Sequence, residues 1–326
     1  MNTTQNTANP LGYERIGKLL TRYAVPSIIS LIINSLYNMV DQIFIGQGVG
    51  FLGNGATNII APIATIAIAV ATLFSDGLAA FFSLNLGRGE ADKAAKGVGT
   101  AVIASATISI LYAILASIFL APLCRLFGAT DNLMPYALSY GHIIVIGFPF
   151  AIIATVINSA IRTDGSPRYA MFSMMIGAIL NTILDPIFIF VFHWGVEGAA
   201  AATILSQFVG LLCNVAYLFK FKTIRLEKSS FIFSGRIVGR LASLGFASCF
   251  NNLTSTVVAM ISNNLLTKYG ALSTYGPDIP ITTFGLCMKV SMIAFSIAIG
   301  VASGSQPIIG FNYGAQKYDR VRRTFL

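Results

Sequence analysis

The sequence predicts an all-α polytopic membrane protein, built as a six-helix N-lobe bundle followed by the first two helices of a second, pseudo-symmetric lobe. Three observations carry this. Hydrophobic residues make up 55% of the 326 and charged residues only 10%, with a mean hydropathy of +0.76, whereas a soluble domain carries about 25% charge. Eight apolar runs are long enough to cross a bilayer as helices, which takes about 20 residues because every backbone polar group must be paired inside the lipid. The basic residues fall in short clusters that alternate with those runs.

Residues 1–22 are polar and basic and contain neither an apolar core nor a small-residue cleavage site, so no removable signal peptide is expected. The spans then follow at Tyr23 to Ile45, Asn58 to Leu84, Val98 to Leu120, Ser139 to Ile161, Ala170 to Phe192, Val196 to Phe219, Leu241 to Leu266 and Ile281 to Ile309. Strand-like alternation is absent. Of the 21 Lys and Arg residues, 18 lie in segments on the N-terminal side of the membrane. Arg125 and Lys268 lie on the other side, and Lys289 lies inside the last span. Basic residues accumulate in the cytoplasm, so a multi-pass protein of the cytoplasmic membrane with a cytoplasmic N-terminus is expected. The net charge of +9 therefore reports topology rather than a nucleic-acid partner. Cys124, Cys213, Cys249 and Cys287 are scattered without zinc-ligand spacing and read as small buried hydrophobes.

An internal repeat organises the spans. The second span ends in Gly77-Leu-Ala with Gly87 and Gly89 beyond it, and the eighth ends in Gly300-Val-Ala with Gly310 and Gly314 beyond it. Six spans separate the two blocks, and a repeat in the same orientation requires an even number. This gives a cytoplasmic segment 1–22, an N-lobe 23–219, a basic inter-lobe linker 220–240 and a partial second lobe 241–326. A complete second lobe would hold six helices, so the chain is expected to be about two-thirds of a longer protein.

Acidic residues inside a span are costly and usually mark an ion or proton pathway. Asp41 in the first span extends a polar face with Ser27, Ser30, Asn34 and Asn38, three and four residues apart. Asp41 could instead sit at the outer interface beside the loop from Gly46 to Gly50. In the fifth span Asn181 and Asp185 are one turn apart, and Pro186 frees the carbonyl of Thr182. Such oxygens suit a small cation, although a simple proline kink is the alternative. Thr203 and Gln207 share a face of the Ala-rich sixth span, and Asn158 adds an amide to the fourth. Lys289 is a candidate substrate contact or counter-charge, while His142 and His193 belong to wetted helix ends. The GxGxxG from Gly48 to Gly53 follows no strand, and no phosphate-binding GxxxxGK[ST], GxSxG or HExxH occurs. Neither direct ATP use nor catalysis is expected.

Four blocks together resemble the multidrug and toxic compound extrusion (MATE) family of secondary transporters. They are Pro26 to Gly46 with its VDQIFIG, the RTDGSPRY of Arg162 to Tyr169, the NTILDP of Asn181 to Pro186, and the PIIGFNYGA of Pro307 to Ala315. The resemblance extends from about Leu19 to Arg323. It implies two six-helix lobes around a cavity, and export of amphipathic, often cationic compounds coupled to Na⁺ or H⁺ entry by a monomer without a cofactor. Its N-lobe cation site falls on Asp41, Asn181, Asp185 and Thr203, with Na⁺ possible there. Asn34, Tyr37, Asn38, Asn158, Gln207 and Lys289 are the candidates for the substrate cavity. Some members rely on acids of the seventh and tenth spans; the seventh span here holds Asn251, Asn252, Asn263 and Asn264 but no acid, so a coupling site on it is not expected. The rival readings are a lipid-linked precursor flippase of related architecture, which needs a cationic cavity, and a non-transporting scaffold or receptor.

Overall fold

The computed structural model describes residues 9–270, 272–274 and 278–326, without the side chains of 259, 260, 263, 264, 267, 278–283, 285, 286, 289 and 290. Among the described residues the ordered structure is helical: α1 Ile16–Gly48, α2 Phe51–Gly87, α3 Ala91–Ile118, α4 Leu120–Leu126, α5 Met134–Thr163, α6 Pro167–Pro186, α7 Gly195–Leu218, α8 Gly235–Gly270, α9 Asp278–Gly314 and α10 Tyr318–Phe325. Seven of them (α1, α2, α3, α5, α6, α7 and α9) hold a described stretch long and apolar enough to cross a membrane. The remaining long helix, α8, packs along the spanning α2.

Helix ends differ from the predicted spans for a simple reason. Apolar runs mark only the part of a helix that lies in hydrocarbon, and the backbone pattern continues into water. So α1 starts at Ile16 rather than Tyr23, and α8 starts at Gly235 rather than Leu241. The short helices α4 and α10 were not expected. Pro186 does not break its helix: the backbone goes on through a π-helical turn, Ile187–Val191, toward α7.

α5 is the central pillar of the first six spans, packed against α2, α3, α6 and α7. Close approach of α7 depends on its small residues, with Ala199, Ala200 and Ala202 fully buried. The turn from α5 to α6 reverses at Gly165, whose φ of +94° favours glycine, and Pro167 opens α6 at a position where its missing N–H costs nothing.

α8 and α9 meet the first six spans along a glycine-lined seam. A Cβ on Gly77 would overlap the Leu241 backbone, and one on Gly245 would overlap that of Leu73. Gly300 lies on Ile28 and Gly304 on Ala24, while Gly87 and Gly310 bring the ends of α2 and α9 together. The glycines of the repeat are therefore the points of closest contact. Ser35 and Ser296 hydroxyls (3.1 Å) and Asn252 Nδ2 donating to Thr72 Oγ1 (3.2 Å) are the seam's outermost hydrogen bonds among the described residues. These contacts extend from the N-terminal face to about the middle of α1, α8 and α9. On that face the chain's first segment is strapped down: Asn312 Nδ2 donates to Leu11 O, Lys317 Nζ to Gly12 O, and Arg320 Nη2 to Glu14 O. Toward the opposite face α8 exposes Leu253, Val257 and Ile261.

Candidate functional site

Asp41 of α1, Asn181 and Asp185 of α6, and Thr203 of α7 are brought together by the packing of α1 and α7 on α6. Asn181 Nδ2 donates to Asp185 Oδ1 (3.1 Å) and lies 3.4 Å from Thr203 Oγ1, whose own proton goes to Ala199 O. The Asp41 and Asp185 carboxyls face one another at hydrogen-bonding range. Asp185 is 0% exposed and Asn181 2%. Even so, Asp41 Oδ1, Asn181 Oδ1 and Asp185 Oδ2 are buried without a hydrogen-bond partner. An unpartnered buried oxygen costs about 1–3 kcal/mol, and more when charged. Three in one cluster form a set of hard donors that a proton or a small cation would complete.

The helical register places this cluster between an apolar plug and a polar cavity. One turn from Asp41, Asp185 and Thr203 in one direction are Ile45, Ile189 and Ala199, which pack together with Val196. One turn in the other direction are Tyr37, Asn181 and Gln207, all of which line a cavity of about 350 Å³. The plug separates the acids from the far face, so the route to them runs through the cavity. The phenols of Tyr37 and Tyr140 also lie close to both acids.

Of the other candidates, Asn34 and Asn158 line the cavity as well. Asn158 is largely engaged in architecture, since its Nδ2 donates to Ala170 O (2.9 Å) and lies 3.3 Å from Ser173 Oγ. Asn38 is exposed and turns back to donate to Asn34 O (2.7 Å) rather than entering the cavity wall. The Lys289 side chain lies outside the described residues, as do those of Asn263 and Asn264.

Two cavity residues escaped the sequence reading. Asp76, inside the second predicted span, lies on the cavity wall, and so does Arg162, which was assigned to a loop. The last turn of α5 carries Arg162 into the bundle, where it feels the charge of Asp76. Lys289 is therefore not the only basic residue within a span. The signal was present at Asp76, an acid in an apolar run, but no amide one turn away made it stand out. Tyr140 gave no signal at all.

A further carboxylate, Asp164 in the RTDGSPRY block, is 1% exposed. It accepts from Tyr217 Oη (2.8 Å), Lys222 N (2.9 Å), Thr223 N (2.9 Å) and Thr223 Oγ1, and so ties the linker to the α5–α6 turn. Burial raises its carboxyl above the ordinary 3.8, against the pull of those four donors.

A family model described as MatE matches residues 26–187 and 247–326. The chain belongs to the MatE family. Among MatE relatives it is similar to a multidrug export protein, MepA, of Staphylococcus saprophyticus, at 26% identity over 92% of this chain and 65% of that protein. It is equally similar to an FAD transporter of Shewanella oneidensis, at 26% identity over 95% of this chain and 68% of the relative. The chain thus spans only about two-thirds of the length of these proteins. A solved structure described as MATE in the straight conformation shares the fold, with a TM-score of 0.89, 24% identity, and coverage of 99% of this chain and 70% of that one. A multidrug resistance MATE transporter in an outward-facing conformation is similar at a TM-score of 0.87 and 24% identity, covering 98% and 69%. The shared fold is that of a multi-pass helical membrane protein.

Proposed function

We propose that the complete protein exports amphipathic, often cationic compounds in exchange for a cation, Na⁺ or H⁺, bound at Asp41, Asn181, Asp185 and Thr203. The observation that carries this reading is the trio of buried, unpartnered oxygens on Asp41, Asn181 and Asp185, next to a cavity large enough for part of a drug. The multidrug export protein among the relatives supports the substrate class. Two facing carboxylates are also a physical basis for exchange. Without a cation their like charges repel, and a cation draws α1 toward α6. A compound in the cavity favours whichever arrangement fits it, and two ligands that prefer different arrangements are coupled. The basic loops favour a cytoplasmic position for the seam-closed face, and on that reading the cavity described here opens outward. On the same reading the glycine seam divides an N-lobe, 23–219, from the start of a second lobe, 241–326, with 220–240 as linker.

Efflux of a fluorescent cationic dye from vesicles holding the complete gene product, under separate Na⁺ and H⁺ gradients, tests the proposal. Dependence on one gradient that disappears in Asp185→Asn supports it, and gradient-independent efflux refutes it. A second reading, export of an anionic compound, has one observation in its favour: Arg162 stands on the cavity wall, and one relative is named an FAD transporter. Asp76 beside that arginine offsets its charge, which favours the first reading. Loss of anionic but not cationic export in Arg162→Gln would reverse that preference. A flippase for a lipid pyrophosphate needs more positive charge than this wall offers.

A further inference from the structure

On the N-terminal face a pocket of about 620 Å³, separate from the cavity, is lined by Arg22 of α1, Ser166 and Arg168 at the start of α6, Tyr217 at the end of α7, and Lys220 and Lys222 of the linker. Four cations line it and no carboxylate does. Arg22 has only a distant partner, Glu14 at 3.8 Å. Among the described residues Arg168, Lys220 and Lys222 make no ion pair. Asp164 is nearby, but its oxygens are already taken by the Tyr217 hydroxyl and the Lys222 and Thr223 donors. At the pocket wall Ser166 is 8% exposed, and its hydroxyl lies against the Tyr217 phenol. The first-turn amides of α6 lack helical acceptors as well and add positive potential. Like charges held this close repel unless an anion sits among them.

The surroundings of the pocket say what kind of anion fits. Phe219, next to Lys220, is 88% exposed. From the pocket α6 runs away with Phe172, Ile176, Ile179 and Ile183 exposed, spaced one turn apart, and α7 exposes Leu205 and Leu212. Among the described residues nothing covers these apolar stripes, and hydrocarbon suits them, which puts the pocket where the helices leave the membrane. A soluble phosphate would fill the basic pocket and leave the stripes idle. We propose that the pocket is a binding site for the phosphodiester headgroup of an anionic glycerophospholipid, with the acyl chains lying along the α6 and α7 stripes. Basic pockets between helices at a membrane surface are suited to this role. Such a lipid joins α1, α6 and the linker at one point and holds them together in the leaflet of the N-terminal face. The site does not depend on which compound or ion the cavity handles.

Native mass spectrometry of the complete gene product, released from detergent micelles carrying phosphatidylcholine and phosphatidylglycerol, tests this. The parent protein should retain phosphatidylglycerol selectively. Arg168→Gln, Lys220→Gln and Lys222→Gln should each weaken retention by about fivefold, the usual contribution of one base near a membrane surface, and the triple variant should abolish selectivity. A control triple, Lys228→Gln with Arg236→Gln and Arg240→Gln, removes equal charge from the same face outside the pocket and should retain the lipid as the parent does. Equal losses in both triples, or none in the first, overturn the site. Displacement of the lipid by millimolar inorganic phosphate overturns the lipid assignment in favour of a soluble anion. Since the three pocket bases are exposed, folding should persist; if the triple variant is not monodisperse, the single variants decide.

Discussion

Asp185 and Asp164 are both buried carboxylates near a helix end in the same bundle, yet they meet opposite environments. Asp164 receives four donors and fastens the linker to the α5–α6 turn. Asp185 receives one donor, from Asn181, faces a second acid, and keeps Oδ2 unpartnered. Burial alone does not distinguish a functional acid from a structural one. Satisfaction does: a carboxylate whose lone pairs are filled by the protein is finished, and one left short has room for a ligand.

The contrast can be broken by mutation. The largest effect is expected at Asp185. Asp185→Asn in the complete protein should lower gradient-driven dye efflux by about 10- to 100-fold, the order by which losing a partner of a metal site weakens affinity, while thermal stability in detergent holds or rises because a charge repulsion is relieved. Efflux within twofold of the parent at matched expression would move Asp185 to the structural side. Asp164→Ala should do the reverse. It strands the Tyr217 hydroxyl and the Lys222 and Thr223 donors, a loss of about 2–4 kcal/mol, read as a lower melting temperature and faster proteolysis between 219 and 230. A stable, protease-resistant variant would show that the linker is held some other way.

Smaller effects sharpen the picture of the seam and the cavity wall. Gly77→Val drives a side chain into the Leu241 backbone, so overpacking of about 1–3 kcal/mol should separate α2 from α8. Spin labels at the ends of α2 and α8 on the N-terminal face, near Gly87 and Gly235, would report a longer distance, and an unchanged distance would mean that the seam yields locally. Asn158→Ala should cost about 1 kcal/mol of stability through its lost bond to Ala170 O. Ion dependence should remain. A changed dependence on the Na⁺ or H⁺ gradient would promote Asn158 from interhelical contact to part of the site.

Local pattern was enough to read much of this. The apolar runs marked the eight long helices among the described residues, seven of which hold a described stretch able to cross a membrane by length and hydropathy. The i,i+4 pairs Asn181/Asp185 and Thr203/Gln207 were legible because one helical turn puts such residues on one face. Helix ends were less so, since α1 and α8 continue into water beyond their apolar parts. Asn38 illustrates another limit: its register matches Asn34 and Asp41, yet its amide folds back onto the Asn34 carbonyl. The α5 terminus hid Arg162, which a count of loop charges assigned to the outside of the bundle.

By itself the sequence determined the helical class, the membrane setting, the glycine repeat and the acids with amides beside them, all of which follow from composition and from the 3.6-residue period. Only the tertiary structure decided that Asp41 of α1 faces Asp185 of α6, that Ile45, Ile189 and Ala199 plug the far side of that pair, and that the repeat glycines form the seam. It also decided which buried carboxylate is satisfied. The reason is physical: periodicity fixes which residues share a face, whereas the donors that reach a side chain from other helices depend on packing across the whole bundle.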